Sequence, residues 1–232
     1  MSALLEISNL SKSYDRGPVL HDISLTVDSG RIVGIVGPNG CGKTTLFKII
    51  AGLIGDYKGS VLIGGNPPGI QTKSIISFLP EKTYLQEGIK AGEAIAMFAD
   101  FYGDFDRSKA LEMLKRFQLE PKMKLKTMSK GMQEKLQLIL VMSRAAKLYL
   151  LDEPLSGIDP AARDTILDII LSNYSEDSTV MLSTHLIHDV ERIFDDIIMI
   201  KDGQLLVCES ADSLRGRTGK SLDEYFREVF KC

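Results

Sequence analysis

The sequence predicts an α/β fold: a parallel-rich core, an antiparallel β part at the N-terminal end, and an inserted α-helical subdomain. Three observations predict it. Strand-like apolar runs alternate with helical patterns over residues 31–79 and again over 147–207. The apolar run at 31–36 leads straight into a glycine-rich stretch and then into a helix-forming segment. Between the two alternating parts, residues 90–146 carry helical periodicity throughout.

Taken in order, 4–10 and 19–27 read as strands with alternating apolar positions, separated by a polar loop at 11–18 and closed by Asp28, Ser29 and Gly30. After the strand at 31–36 come Gly37, Pro38, Asn39, Gly40, Cys41, Gly42, Lys43, Thr44 and Thr45, with the spacing G-x-x-x-x-G-K-[ST] of a phosphate-binding loop. Glycines at these places let the backbone curl with its N–H groups inward, which larger residues obstruct. Lys43 adds a positive charge, Thr44 offers a hydroxyl to Mg²⁺, and 45–50 continue as a helix whose N-terminal dipole faces the same phosphates. Strands are expected at 60–63 and 75–79, with turn residues at 64–69 between them.

Helices are expected at 91–102, 106–117 and 129–146, the last with Met132, Leu136, Ile139 and Leu140 on one face. The apolar run from Lys147 ends in Asp152 and Glu153, the pattern of a buried parallel strand delivering acids at its carboxyl end. Such a pair can hold Mg²⁺ through Asp152 and polarise an attacking water through Glu153. A helix at 161–174, a strand at 179–183, a helix at 186–194 buried through Leu186, Val190, Ile193 and Phe194, a strand at 196–201, a turn at Asp202 and Gly203 and a strand at 204–207 complete the pattern. The chain reads as one domain over 1–232, with its core in 1–89 and 147–232 and the helical subdomain at about 90–146.

Bulk properties narrow the function. With 44% hydrophobic and 25% charged residues the composition is that of a globular protein. The net charge is −3, and no Lys/Arg cluster is interleaved with aromatics, so a nucleic-acid partner is not expected. The basic stretch at 122–130 reads as a solvated face. Cys41, Cys208 and Cys232 are at unrelated spacings, which suggests neither disulfides nor zinc and fits a reducing cytosol. No apolar run is long enough to cross a bilayer, and the first residues lack the pattern of a secretory leader.

Further motifs stand in order around these two. Tyr14 precedes the phosphate loop; Met128, Ser129, Lys130, Gly131 and Met132 open a helix between loop and acids; Ser156, Gly157, Ile158 and Asp159 follow the acids; Ser183, Thr184 and His185 end a strand. Each alone has a plain structural reading, Ser129 as a helix N-cap and His185 as a packed histidine. Together they make the chain resemble the ATP-binding-cassette (ABC) ATPases over almost its whole length, most of all the cassettes of bacterial multicomponent exporters for peptides, drugs or antibiotics. The sequence departs from that family's pattern at Lys130 and Met132, which replace Gly and Gln, and at Glu81, which stands where a glutamine is common.

The resemblance implies ATP and Mg²⁺ as ligands. It assigns Tyr14 to adenine stacking, Lys43 and the loop to the phosphates, Thr44, Asp152 and Glu81 to the metal and its water, Glu153 to catalysis and His185 to the γ-phosphate. It implies a head-to-tail dimer with a second cassette, identical or not, in which Ser129 and Gly131 complete the partner's site. It also implies a separate integral membrane permease docked near Tyr84, Leu85, Ile89, Met97, Phe98, Phe101 and Tyr102, with the chain on the cytoplasmic face of the membrane. A non-transport ABC ATPase, for instance in cluster assembly, and a binding-only nucleotide switch are the alternatives.

Overall fold

The computed structural model describes residues 3–175 and 177–230; Cys232 lies outside them. β1 (Ala3–Tyr14) and β2 (Gly17–Asp28) form one long antiparallel hairpin, so the loop expected at 11–18 is instead paired strand with a turn at Asp15 and Arg16. Polar side chains suggested a loop there, yet they serve the ladder's irregularities. Asn9 and Asp22 both sit at φ 51, held by Asn9 Nδ2 donating to Asp22 Oδ1 (2.8 Å) and by their own backbone N–H groups donating to Ser24 Oγ and Ser11 Oγ.

β3 (Ile32–Val36) follows, buried throughout, and α1 (Lys43–Ile50) rises from the glycine-rich loop. β4 (Lys58–Ile63) pairs with the free edge of β1, giving a three-stranded sheet of order β2-β1-β4. A one-turn helix α2 (Ile70–Lys73) leads into β5 (Ile76–Leu79). Then come α3 (Ala91–Phe101), α4 (Arg107–Arg116) and α5 (Lys130–Met142).

α5 stops at Met142 rather than continuing to 146, because the next residues are bonded elsewhere. The buried guanidinium of Arg144 donates to Asp104 Oδ1 (3.0 Å), Ile76 O (2.5 Å) and Ser74 O (2.9 Å), while Arg144 O accepts from the Tyr149 hydroxyl (2.5 Å).

β6 (Leu148–Asp152), α6 (Pro160–Asn173) and β7 (Thr179–Thr184) resume the alternation. α7 (Ile187–Val190) is a single turn followed by a 3-10 turn at Glu191–Ile193, shorter than the helix expected at 186–194. Its packing residues are Ile187, Val190 and Phe194, with Leu186 and Ile193 only half-buried. An outside donor limits the helix, since Glu191 O accepts from Arg215 Nη2 at 2.7 Å. β8 (Asp196–Lys201) and β9 (Gln204–Ser210) form an antiparallel hairpin, β9 running three residues past the expected end because Ser210 still pairs with Asp196. α8 (Ala211–Thr218) and α9 (Leu222–Phe230), which the sequence pattern did not announce, pack Ala211, Leu214, Leu222 and Phe226 onto the core.

The second sheet has the order β5-β6-β7-β3-β8-β9, parallel except at β9. Alternate side chains of its strands feed two separate cores. Val33, Ile35, Leu148, Leu150 and Met181 face α1 and the small sheet, whereas Ile32, Val36, Tyr149, Leu151, Val180 and Leu182 face the helices. Burial on both faces explains why these strands read as unbroken apolar runs. It also brings the carboxyl ends of β3, β5, β6 and β7 to one edge, where ligands of open parallel sheets bind.

Candidate nucleotide site

A cleft of about 400 Å³ opens at that edge, lined by Asn39, Gly40, Gly42, Lys43, Thr44, Thr45, Glu81, Glu153, Ser156 and His185, with Val19 at its side. Gly42 caps α1 at φ 110, and no acidic residue occupies the first turn of the helix, so its free N–H groups face the cleft uncompensated. Two of the loop's glycines have no room for a side chain. A Cβ on Gly37 would lie 2.3 Å from Ile200 O, and one on Gly42 would meet Leu20 at 2.6 Å. Lys43 is 6% exposed and its Nζ donates to Gly37 O (2.7 Å) and Pro38 O (3.2 Å). Cys41 contributes backbone to the loop, but its thiol is buried in the core cluster, where desolvation raises its pKa.

The two acids sit opposite. Asp152, at the end of β6, is buried, and its Oδ1 accepts from Ser183 Oγ at 2.6 Å. Its Oδ2 is buried without a hydrogen-bond partner. Burial raises its pKa above the ordinary aspartate range; the hydroxyls of Ser183 and Thr44 oppose that, nearby Glu81 adds to it, and Lys43 opposes it. Glu153 adopts φ 52, which a non-glycine residue holds only under constraint, and its N–H is anchored by Ser183 O (3.2 Å) and Ser183 Oγ (3.0 Å). Its Oε2 lies 2.8 Å from His185 Nδ1 and its Oε1 3.7 Å from Lys43 Nζ. Ser183 therefore fixes both acids, a role the sequence reading had not given it; only its register beside Asp152 reveals it.

Three carboxylates and one lysine around a phosphate-shaped cradle leave an excess of negative charge that a polyphosphate would increase. Together with the unpartnered Asp152 Oδ2, this fits a divalent cation. Magnesium commonly takes one or two protein oxygens and leaves the rest to phosphate and water.

The structure gathers Lys43, Thr44, Thr45, Glu81, Asp152, Glu153 and His185 at this edge. Tyr14 stands at the tip of the β1–β2 hairpin, half exposed, beside a shallow depression that shares Val19 with the cleft. Ser129 and Gly131 do not line the cleft. Ser129 caps α5, its Oγ accepting from Met132 N at 3.3 Å, and the same helix turn meets Gly157, where a Cβ would come within 3.1 Å of Lys130 Nζ.

Residues 20–156, more than half of the chain, match the ABC transporter domain. The chain belongs to the ABC transporter family. It is 30% identical to the ABC-type transporter ATP-binding protein EcsA of Bacillus subtilis, across 99% of this chain and 97% of that protein. It is 32% identical to the SkfA peptide export ATP-binding protein SkfE of the same organism, across 88% and 87%. A solved ATP-binding subunit of an ABC transporter superposes with a TM-score of 0.88 at 29% identity, over 98% of this chain and 99% of that one. The fold and these relatives make the chain an ABC transporter ATP-binding subunit. No helix among the described residues is long and apolar enough to cross a membrane.

Proposed function

We propose that the chain binds Mg-ATP in this cleft and hydrolyses it within a head-to-tail dimer of cassettes, driving a separate membrane permease in the export direction from the cytoplasmic face. The observation that carries the reading is the Glu153–His185 pair held opposite Lys43 and the N-terminus of α1. The loop amides and Lys43 bind the β- and γ-phosphates, and Tyr14 stacks on the adenine. Thr44 and Asp152 would hold Mg²⁺, with Glu81 lining the same cleft; the ion would neutralise charge on the phosphates and favour in-line attack. Glu153 Oε2 positions the attacking water and takes its proton, while His185, already hydrogen-bonded to that carboxylate, contacts the γ-phosphate.

Ser129 and Gly131 lie off their own chain's cleft at an N-terminal helix end, which supports their serving the site of a second cassette, the same chain or a sister. ATP shared in this way favours the dimer by mass action, and hydrolysis releases it. The export direction is supported by the likeness to the peptide export subunit SkfE. Relatives that are named as transporter subunits weigh against a non-transport ATPase. Phosphate release by wild type and Glu153→Gln tests the reading. The variant is expected to fall by about 10²–10⁴-fold while still dimerising on ATP in size-exclusion chromatography; near-normal turnover would overturn the assignment.

A further inference from the structure

Lys12 is a charged side chain at a core position. It follows the buried Leu10 on β1, pairs across the hairpin with the buried Leu20, and is itself only 6% exposed. Lysine is almost never buried to this extent unless it has a partner. The place is close to the phosphate loop, because Leu20 is the residue that a Cβ on Gly42 would strike.

The ammonium has two neighbours. Nζ donates to Asp56 Oδ2 at 3.1 Å and lies over the ring of Tyr14, 4.8 Å from its centroid. The Asp56 side chain is fully exposed, so water screens that pair, and the pair does not require an ammonium inside the hairpin. The ring does. Its face is the negative side of the aromatic quadrupole, and a cation shielded from water is held there more strongly than one at the surface. An aliphatic side chain would fill the same register without the desolvation cost of a charge, so packing alone does not call for lysine.

We propose that Lys12 is a positioning residue for the nucleobase: it fixes the Tyr14 ring through a cation on one face and leaves the other face to stack on adenine. The proposal rests on the stacking role given to Tyr14 and adds the residue that makes that role effective. Tyr14 ends its strand at a turn, opposite Gly17 at φ 121, and nearly half of it is in water. A side chain so placed has rotamer freedom that a ligand must remove, and a ring already held spares the ligand that loss of entropy. Stacking reads the face of a base and not its edges, so the support serves any purine.

Binding of Mg-ATP, Mg-GTP and magnesium tripolyphosphate to the full chain, measured by calorimetry, tests the proposal. Lys12→Met is expected to weaken ATP and GTP alike by about 3- to 30-fold, the range of a cation–π contact from exposed to desolvated, and to leave tripolyphosphate unchanged, since that ligand has no ring. Lys12→Gln keeps a polar end for Asp56 but no charge for the ring, and should behave as Lys12→Met. Lys12→Arg keeps the cation and should bind ATP as wild type does. In a Tyr14→Ala background, Lys12→Met should have no further effect on ATP. Unchanged ATP affinity in Lys12→Met and Lys12→Gln, with a loss in Tyr14→Ala, overturns the positioning role alone. Equal weakening of all three ligands makes Lys12 a support of the fold or of the phosphate loop and overturns it as well, and a loss for ATP without one for GTP does so in favour of a direct contact with the base edge. Wild-type ATP affinity in Tyr14→Ala overturns the stacking role of Tyr14 and this proposal with it.

Discussion

The nucleotide cleft and a groove of about 770 Å³ between α1, β5 and α3 share α1 and the end of β5, yet they are built in opposite ways. In the cleft the polar groups are buried and tightly held: Lys43 by two loop carbonyls, Asp152 and Glu153 by Ser183, Glu153 further by His185. In the groove Leu53, Tyr84 and Phe101 are exposed, and Lys48, Lys73 and Lys82 make no ion pair among the described residues. The cleft stores electrostatic cost and backbone strain that a ligand with fixed geometry relieves. The groove leaves a contiguous apolar surface open to solvent. One region is preorganised, with its polar groups held in place; the other leaves apolar surface and charge open to solvent.

The contrast can be broken at several points. The largest folding effect is expected at Arg144, which lines the groove. Arg144→Leu removes the cation from Asp104 and leaves Ser74 O and Ile76 O without their donor. Chemical denaturation should show a loss of about 3–5 kcal/mol, and a loss under 1 kcal/mol would show that the groove floor does not depend on this anchor. Gly37→Ala forces a Cβ against Ile200 O. It should destabilise by about 1–3 kcal/mol and weaken ATP binding measured by calorimetry, because the loop carbonyl that holds Lys43 must move.

Asp152→Asn should have the opposite sign on stability. Burial raises the Asp152 pKa, so its charged form costs stability above the unfolded-state pKa, and that cost is relieved as pH falls through the folded value. Without nucleotide the variant should therefore melt above wild type at neutral pH, and the gap should close in acid. Its Mg²⁺-dependent turnover should be lost. A variant that melts lower at neutral pH would contradict the account. The smallest effect is expected from Phe101→Ser in the groove, within about 0.5 kcal/mol in the isolated chain, with its consequence confined to recovery of the membrane partner.

Much of the cleft was legible because its chemistry is tied to local backbone. Gly37 and Gly42 mark places where a Cβ has no room, and the run ending in Asp152 and Glu153 announces a buried strand delivering acids. The β1–β2 loop was misread because polar residues that stabilise bulges look like loop residues until their partners across the hairpin are seen. α8 and α9 carried weak signals, Ser210 as an N-cap, Gly219 at a left-handed end, and Leu222 with Phe226 one turn apart.

The expected docking residues separated in the fold. Leu85 and Phe98 are buried in the core cluster, Ile89 is half-buried and off the groove, and Tyr84, Met97, Phe98, Phe101 and Tyr102 line it. The three lysines went unnoticed because they come from α1, α2 and the turn after β5, and nothing in the chain order places them together.

By itself the sequence determined the family, the phosphate loop and the pair of acids, since spacing along the chain dictates local conformation and residue type dictates chemistry. Only the tertiary structure decided that Ser183 holds both acids, that one oxygen of Asp152 is left unpartnered, and that three unpaired lysines ring an apolar groove. Those properties depend on burial and on register between strands far apart in sequence, and neither exists until the sheet has closed.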